Sequence, residues 1–215
     1  MVASLLALSL FAQAGPCSVQ GTLVLELPSG ERTSPTDAVV YLKDGPARAS
    51  AEPRTHVISQ KNFKFSPALL VVQVNDRVDF VNEDPTVQHS VFSKQGIDPF
   101  VGAKNGYKTT FSRTFAKEGS VHVQCDIHGE MQTDILVLSS GAFARPDAKG
   151  RWKLSGLERK AYTLVVWEPN GAMQTVEIAA CATKPFQLEL VKNPPWPKRH
   201  NDGTPYAIDY QPDIY

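Results

Sequence analysis

The chain lacks the features that would direct it to a charged polymer or into a membrane. Lys plus Arg and Asp plus Glu are equal at 22 each, so the formal net charge is zero. The basic stripe that is typical of nucleic-acid binding is missing, and we expect no nucleic-acid partner. The apolar run at residues 5–11 is too short to cross a bilayer comfortably, so we expect no membrane span in the mature chain.

Common catalytic motifs are missing as well. The chain has five histidines but no His-x-His pair of the kind that builds multinuclear metal clusters. It has no recognisable Ser/His/Asp arrangement, no phosphate-cradling glycine loop and no dinucleotide-binding fingerprint. These absences predict that the chain is not an enzyme.

The N-terminus has the pattern of an export signal. Its apolar run is followed by Ala12-Gln13-Ala14, a small-x-small cleavage site. We predict a signal peptide at residues 1–14 and a periplasmic or secreted protein. The alternative is a buried N-terminal strand, and no Lys or Arg precedes the apolar run.

A metal-binding pattern is the strongest signal in the sequence. Cys125, His128 and Met131 follow one another at Cys-x-x-His-x-x-Met spacing, and His89 lies upstream after a strand-like run. Two imidazoles, a thiolate and a weak axial thioether form the ligand set of a blue-copper site. Residues 121–125 alternate as in a strand, which aims the thiol inward. We predict one copper ion bound by these four residues, although a Cys-x-x-His pair alone would also suit zinc.

Residues 55–140 resemble cupredoxins of the plastocyanin/amicyanin type. The resemblance lies in residues 63–67, 78–82, 88–92 and 118–131. It implies a Greek-key sandwich that carries electrons between redox partner proteins. Two departures concern the ligands: Ser90 stands where many members have Asn, and the short loop has no proline around His128. We expect the Ser90 amide to face the thiolate sulfur, and Asn82 either to tie the two ligand loops together or to form an ordinary turn.

A second resemblance involves both ends of the chain. Residues 147–157, 162–167 and 175–178 resemble the later strands of a carboxypeptidase regulatory-like (transthyretin-like) sandwich, and residues 21–23 and 37–42 resemble its earlier strands. We therefore predict an all-β chain with a Greek-key cupredoxin sandwich at 55–140, inserted into a second small β-sandwich at 17–45 and 141–192. A serial order of domains is the alternative.

The remaining segments are less regular. Residues 193–215 contain five prolines and no apolar periodicity, which indicates an extended tail that is either docked or disordered. A short helical turn is expected between Gly96 and Gly106. We expect His56, His122 and His200 at the surface.

The other two cysteines leave two possibilities open. With Cys125 assigned to metal, an oxidising compartment would favour a Cys17–Cys181 disulfide. Two separate thiols are the alternative, because sequence does not show whether their Cα atoms lie within bonding distance.

The expected function is single-electron transfer between redox partners by an exported type 1 copper protein. Two alternatives are a copper storage or delivery protein and an interaction module with an incidental copper site.

Overall fold

The computed structural model describes residues 17–50, 52–179, 181 and 185–206. The predicted signal peptide lies outside them. Regular structure in these residues consists of strands and one 3-10 turn, which confirms the prediction of an all-β chain. Within the described ranges there is no helix with the length and apolar character needed to cross a membrane.

The strands follow one another in three groups. The first group is β1 (Cys17–Glu26), β2 (Arg32–Thr33), a 3-10 turn (Pro35–Asp37) and β3 (Val39–Leu42). The second group is β4 (Thr55–Lys61), β5 (Lys64–Ser66), β6 (Leu69–Gln73), β7 (Arg77–Asn82), β8 (Phe92–Gly96), β9 (Phe100–Val101), β10 (Thr110–Thr114), β11 (Gly119–Gln124) and β12 (Gln132–Leu138). The third group is β13 (Phe143–Ala144), β14 (Arg151–Leu157), β15 (Ala161–Trp167), β16 (Met173–Ala179) and β17 (Phe186–Val191).

The first and third groups pair with each other and build what we call the first sandwich. One of its sheets has the order β14-β1-β17, with β2 on β1, and the other has the order β13-β3-β15-β16. Alternating apolar residues of both sheets fill a shared core, as expected for strands with one buried face. Leu23, Leu42, Trp152 and Leu164 belong to this core.

The second group of strands builds the second sandwich. Its sheets have the orders β10-β7-β4-β5 and β6-β12-β11-β8-β9. The pairs β4–β7 and β6–β12 are parallel and the others antiparallel, so the chain crosses repeatedly between the two sheets. The core between them contains Ile58, Phe80 and Ile135, and also Cys125 and Met131.

The two sandwiches stack on one another through a third apolar cluster. Tyr41 and Trp167 of the first sandwich meet Leu136 and Leu138 of the second. Strand β12 is therefore covered on both faces, since Ile135 points into the second sandwich instead. Two-sided burial explains the continuous apolar run at residues 135–138.

The chain enters and leaves the second sandwich at neighbouring points. Strands β3 and β13 are antiparallel partners in one sheet, with Tyr41 opposite Phe143. Just beyond them, the Gly141 N–H donates to the Pro46 carbonyl at 2.7 Å. The entering and leaving segments thus lie side by side.

A buried carboxylate fastens the entering segment to the second sandwich. Asp76, 1% exposed, accepts hydrogen bonds from the Arg48 guanidinium at 2.6 Å, the Arg54 N–H at 2.8 Å and the Gln73 N–H at 3.1 Å. His56 Nε2 lies 2.9 Å from Asp76 Oδ2, the same oxygen that accepts the Gln73 N–H. Burial raises the pKa of Asp76, but these hydrogen bonds outweigh it and hold the pKa well below its usual range.

Cys17 and Cys181 form a disulfide with their Cα atoms 5.1 Å apart. Cys17 begins β1, and Cys181 lies between β16 and β17. The bond joins the start of β1 to the segment between β16 and β17. Of the two alternatives that the sequence offers, a disulfide and separate thiols, the structure has the disulfide.

Two local predictions were wrong. The segment between Gly96 and Gly106 is not helical, because Phe92 and Ser93 pair with β9 in a short hairpin instead. His122 is only 3% exposed, since the second face of β11 is also covered. It pairs with Asp134 at 2.9 Å and lies against the Trp196 ring.

Candidate metal centre

Three of the four predicted ligands come together in one buried cluster. The donor atoms of His89, Cys125 and His128 all lie within 4.8 Å of one another, and all three residues are buried. The two Nδ1 atoms are 3.1 Å apart, and Cys125 Sγ is 3.7 Å from His128 Nδ1. The cluster joins the segment before β8 to the ligand loop, by which we mean residues 125–131 between β11 and β12.

A carboxylate sets the orientation of the first imidazole. His89 Nε2 lies 2.6 Å from Asp84 Oδ2, and His89 is fully buried. An imidazole that donates one N–H to a carboxylate presents its other nitrogen as a lone-pair donor. When His89 is neutral, this contact therefore leaves the Nδ1 lone pair to face Cys125 and His128.

The surroundings of Cys125 favour its thiolate form. Burial raises the pKa of this thiol, but hydrogen bonds from His128, His89 and the Ser90 amide outweigh burial and lower the pKa to about 5. For His89, burial lowers the pKa, and the neighbouring Cys125 and Asp84 raise it overall. The thiolate is the form that binds metal, so the sulfur is prepared for this role.

Ser90 joins the two ligand segments. Its N–H lies 3.5 Å from Cys125 Sγ, as the sequence predicted, and its hydroxyl accepts a hydrogen bond from the Asp126 N–H at 2.8 Å. In many cupredoxins, an Asn directly after the first histidine links the two segments in this way. The serine hydroxyl makes the link with a shorter side chain.

Asn82 holds the first ligand segment but does not contact the ligand loop. Its amide donates to the Val87 and Asn105 carbonyls at 2.9 and 2.8 Å, and its oxygen accepts the Asp84 N–H at 2.8 Å. The backbone of Asn105 in turn pairs with that of His89 in a two-residue bridge. Asn82 thus holds both the backbone that precedes His89 and the Asn105 carbonyl of the segment that pairs with it.

Met131 closes the ligand loop. It is fully buried in the same core as Cys125. Its carbonyl accepts the Cys125 N–H at 3.1 Å, and its N–H donates to the His128 carbonyl at 3.0 Å. These two bonds fold the loop tightly and bring the Met131 backbone beside Cys125 and His128, the other two predicted ligands of the loop.

Phe63 covers the two imidazoles. Its ring stands edge-on to His128 with centroids 4.9 Å apart, and to His89 at 6.2 Å. Asn62 and Phe63 both have positive φ, at 52° and 57°, in the two-residue turn between β4 and β5, as in a type I′ hairpin. The Asn62 N–H also donates to Asp84 at 2.9 Å, so one turn both shields the cluster and supports its carboxylate.

The donor set fits a copper ion. A thiolate and two imidazole nitrogens converge in a buried, largely apolar place, and soft sulfur with imidazole is the set that copper prefers. Carboxylates do not intrude, since Asp84 is held by His89 and Asn62, and Glu130 forms an exposed ion pair with Lys198.

Four contributors to this centre were missed by sequence reasoning. Asp84 belongs to no motif, Asp126 occupies an unassigned position of the Cys-x-x-His-x-x-Met motif, and Phe63 appeared only within residues 63–67 of the cupredoxin resemblance. Tyr206 lies far along the chain, in the irregular tail, where its hydroxyl donates to the Cys125 carbonyl. Asn62 was a sequence signal for the turn that carries Phe63, because Asn tolerates positive φ.

No family model matches the chain, and no curated protein matches it. Among solved structures, it is similar to a Cu-containing nitrite reductase from Thermus scotoductus SA-01, with 30% identity over 43% of this chain and a TM-score of 0.38. The match spans only 25% of the nitrite reductase chain. It is also similar to a reduced amicyanin variant, with 22% identity, a TM-score of 0.37 and coverage of 47% of this chain and 98% of that one. Amicyanin from Paracoccus versutus gives 22% identity, a TM-score of 0.36 and coverage of 46% and 96%.

These findings correct one prediction. The lack of common catalytic motifs predicted that the chain is not an enzyme. That prediction does not stand, because one solved structure similar to part of this chain is a copper nitrite reductase. The match spans 25% of the nitrite reductase chain and assigns no activity to this one. A missing motif in one sandwich does not exclude enzymatic chemistry.

Proposed function

We propose that this chain is an exported type 1 copper protein that carries single electrons between redox partners. The observation that carries the proposal is the buried convergence of His89, Cys125 and His128, with all donor atoms within 4.8 Å. In this proposal the metal ligands are these three residues and Met131, the last as a weak axial ligand. One copper ion held there supplies a one-electron couple.

The residues of this chain prepare the site before any metal arrives. Asp84 orients His89, the Ser90 amide faces the Cys125 sulfur, and the tight loop between Cys125 and Met131 fixes His128. Pre-formed geometry limits how much the ligands must rearrange when the charge of the site changes. Burial of all three donor groups also weighs against rapid metal exchange, and so against a storage or delivery role.

We propose export on the basis of the disulfide. A Cys17–Cys181 bond persists in an oxidising compartment such as the periplasm or the extracellular space. The leader-like sequence at residues 1–14 points the same way.

We also propose that the second sandwich is a domain inserted into the first. Residues 17–45 and 141–192 would form one discontinuous domain around the copper domain at 55–140, with a tail from residue 193 onward. Pairing of β1 with β14 and β17, and of β3 with β13 and β15, supports this division.

The test is a Cu(II) titration of the metal-free mature protein, followed by visible absorption and electron paramagnetic resonance. We expect an intense visible band and a narrow copper hyperfine splitting that saturate at one ion per chain, with reversible one-electron reduction. Cys125→Ser is expected to abolish the band, while Ser93→Ala should keep it, because that serine contacts the Gln95 carbonyl and none of the ligands. A pale, ordinary Cu(II) signal from the parent protein would refute the proposal. A parallel zinc titration guards against assigning copper to a site that prefers zinc.

A further inference from the structure

The polypeptide after β17 returns to the metal centre. We call residues 196–206 the C-terminal strap. It begins at Trp196, whose ring lies 5.6 Å from that of His122, and the Pro197 carbonyl accepts a hydrogen bond from the Gln124 side chain at 3.3 Å. The strap thus meets β11 just before the strand ends at the ligand loop.

Asp126 is the main anchor between strap and ligand loop. The Asn201 N–H donates to Asp126 Oδ1 at 2.6 Å, and the Asn201 side-chain amide donates to Oδ2 at 3.1 Å. His200 Nδ1 lies 2.7 Å from the Asp126 carbonyl oxygen. Hydrogen bonds to a carboxylate are among the stronger ones in proteins. Asp126 lies directly after Cys125, so these bonds act on the backbone between two proposed ligands.

Tyr206 holds the same loop at two further points. Its hydroxyl donates to the Cys125 carbonyl. Its ring packs on Gly129, where an added Cβ would lie only 2.8 Å from ring atom Cδ2. The His200 ring packs against Tyr206 at a tilt of 42°, with centroids 4.1 Å apart. Tyr206 therefore contacts the loop on both sides of His128, at Cys125 and at Gly129.

The strap has its own turn that sets these groups in place. The His200 N–H donates to the Thr204 carbonyl at 2.8 Å, and the Gly203 N–H donates back to the His200 carbonyl at 2.9 Å. Arg199 and Pro205 form an isolated antiparallel bridge. A hairpin of this kind presents His200, Asn201 and Tyr206 together toward the loop.

The ligand loop needs such support because little in its own sequence stiffens it. It contains Gly129 and no proline, and proline is the residue that fixes backbone φ. A metal site works best when its ligands are held by surrounding groups before the ion binds.

We propose that the C-terminal strap is a built-in support of the metal centre, with Asp126 and Tyr206 as positioning residues that hold the ligand loop in its metal-ready form. The purpose that we assign to the strap rests on the proposed copper function. The strap's effect on the loop can be measured without any metal.

The test compares four full-length proteins: the parent, the strap variant His200→Ala/Asn201→Ala/Tyr206→Phe, the single variant Tyr206→Phe, and the control Lys198→Ala. All changes leave the ligand-loop sequence intact. Lys198 also contacts the loop through Glu130, but that ion pair is exposed, and exposed pairs contribute little. Amide hydrogen exchange is measured on the metal-free proteins, and copper transfer to a chelator and the reduction potential on the loaded ones.

We expect amides of residues 125–131 to exchange at least about 10-fold faster in the strap variant, with strands β14 and β15 unchanged. Copper release is expected to accelerate by a similar factor, and the reduction potential should shift although the guanidinium midpoint of global unfolding stays within error. Tyr206→Phe alone, which keeps the ring on Gly129, should give a smaller change of the same sign. Lys198→Ala should match the parent.

Loop exchange and copper release within twofold of the parent would overturn the inference. Equal acceleration in the loop and in β14 and β15 would also overturn it, because the strap would then stabilise the whole fold and not the loop. If the parent forms no thiolate–copper band, the proposed function fails, whereas exchange in the metal-free proteins still decides whether the strap holds the loop.

Discussion

Replacing Ser90 by Ala tests whether one hydroxyl locks the two ligand segments together. Ser90 is 4% exposed, and its hydroxyl accepts the Asp126 N–H at 2.8 Å. The substitution removes this acceptor and leaves the Ser90 N–H to Cys125 in place, because that donor belongs to the backbone. The Asp126 N–H bond is partly buried, so the cost of about 1–3 kcal/mol for a buried N–H without a partner is an upper range for this change.

That cost falls on the closed form of the ligand loop. A loss of about 1–3 kcal/mol raises the population of the opened loop about 5- to 150-fold. Cys125 is fully buried, and the other two cysteines form a disulfide. A thiol reagent applied to unreduced, metal-free protein therefore reports on Cys125 alone, and its reaction tracks loop opening when closing is fast.

We expect Cys125 in the Ser90→Ala protein to react with the thiol reagent about 5- to 150-fold faster than in the parent. Ser93→Ala is the matched control, since Ser93 is also buried and its hydroxyl donates to the Gln95 carbonyl at 2.9 Å, away from the loop. That variant should lose some stability without faster thiol labelling. Equal labelling of Ser90→Ala and the parent would refute the reasoning, because the loop would then stay closed without the serine hydroxyl.

Three further predictions concern other parts of the molecule. Met131→Leu should keep copper bound and raise the reduction potential, because a weak electron donor to Cu(II) is lost; voltammetry checks this, and an unchanged potential would mean that Met131 is not axial. Asp76→Asn should lower the free energy of unfolding at pH 7 by about 3 kcal/mol, because it leaves the buried Arg48 contact without its charge. Since the folded-state pKa of Asp76 is depressed, the stability that its carboxylate contributes is present above its unfolded pKa of about 4 and fades as the pH falls. Denaturation curves of variant and parent should therefore converge toward pH 2. A difference in stability that does not change with pH would contradict this account. Leu136→Ala should cost about 2–5 kcal/mol of stability through a cavity between the sandwiches but leave the copper absorption band unchanged; a shifted band would show that this interface reaches the metal centre.

The sequence predicted much of this molecule where local patterns carry the information. The alternation at residues 121–125 predicted a strand where β11 lies, because period-two burial is visible in neighbouring residues. The spacing of Cys125 and His128 named two of the three residues whose donor atoms lie within 4.8 Å of one another, whereas the axial role of Met131 stays a prediction. The bridging hydroxyl of Ser90 was missed, although its amide was placed correctly.

The rest depends on contacts between distant parts of the chain. His122 was expected at the surface, since a histidine in a polar setting usually lies there, but Trp196 and Asp134 cover it. Asp84 and Asp126 gained their roles from neighbours that only folding supplies. The sequence predicts a helical turn between Gly96 and Gly106, whereas the pairing of β8 with β9 decides the local structure.

The stacking of the two sandwiches has a consequence for how a partner could approach. The second sandwich is joined to the first by two adjacent chain crossings, by the apolar contact around Trp167 and Leu136, and by the strap that returns from β17. Because of these three connections, we expect the proposed metal centre to keep a fixed position relative to the first sandwich, unlike a centre in a domain that is joined by one flexible linker. A protein that docks on either sandwich would face the metal at one fixed distance and direction. We expect electron transfer within such a complex to follow a single exponential and not a spread of rates.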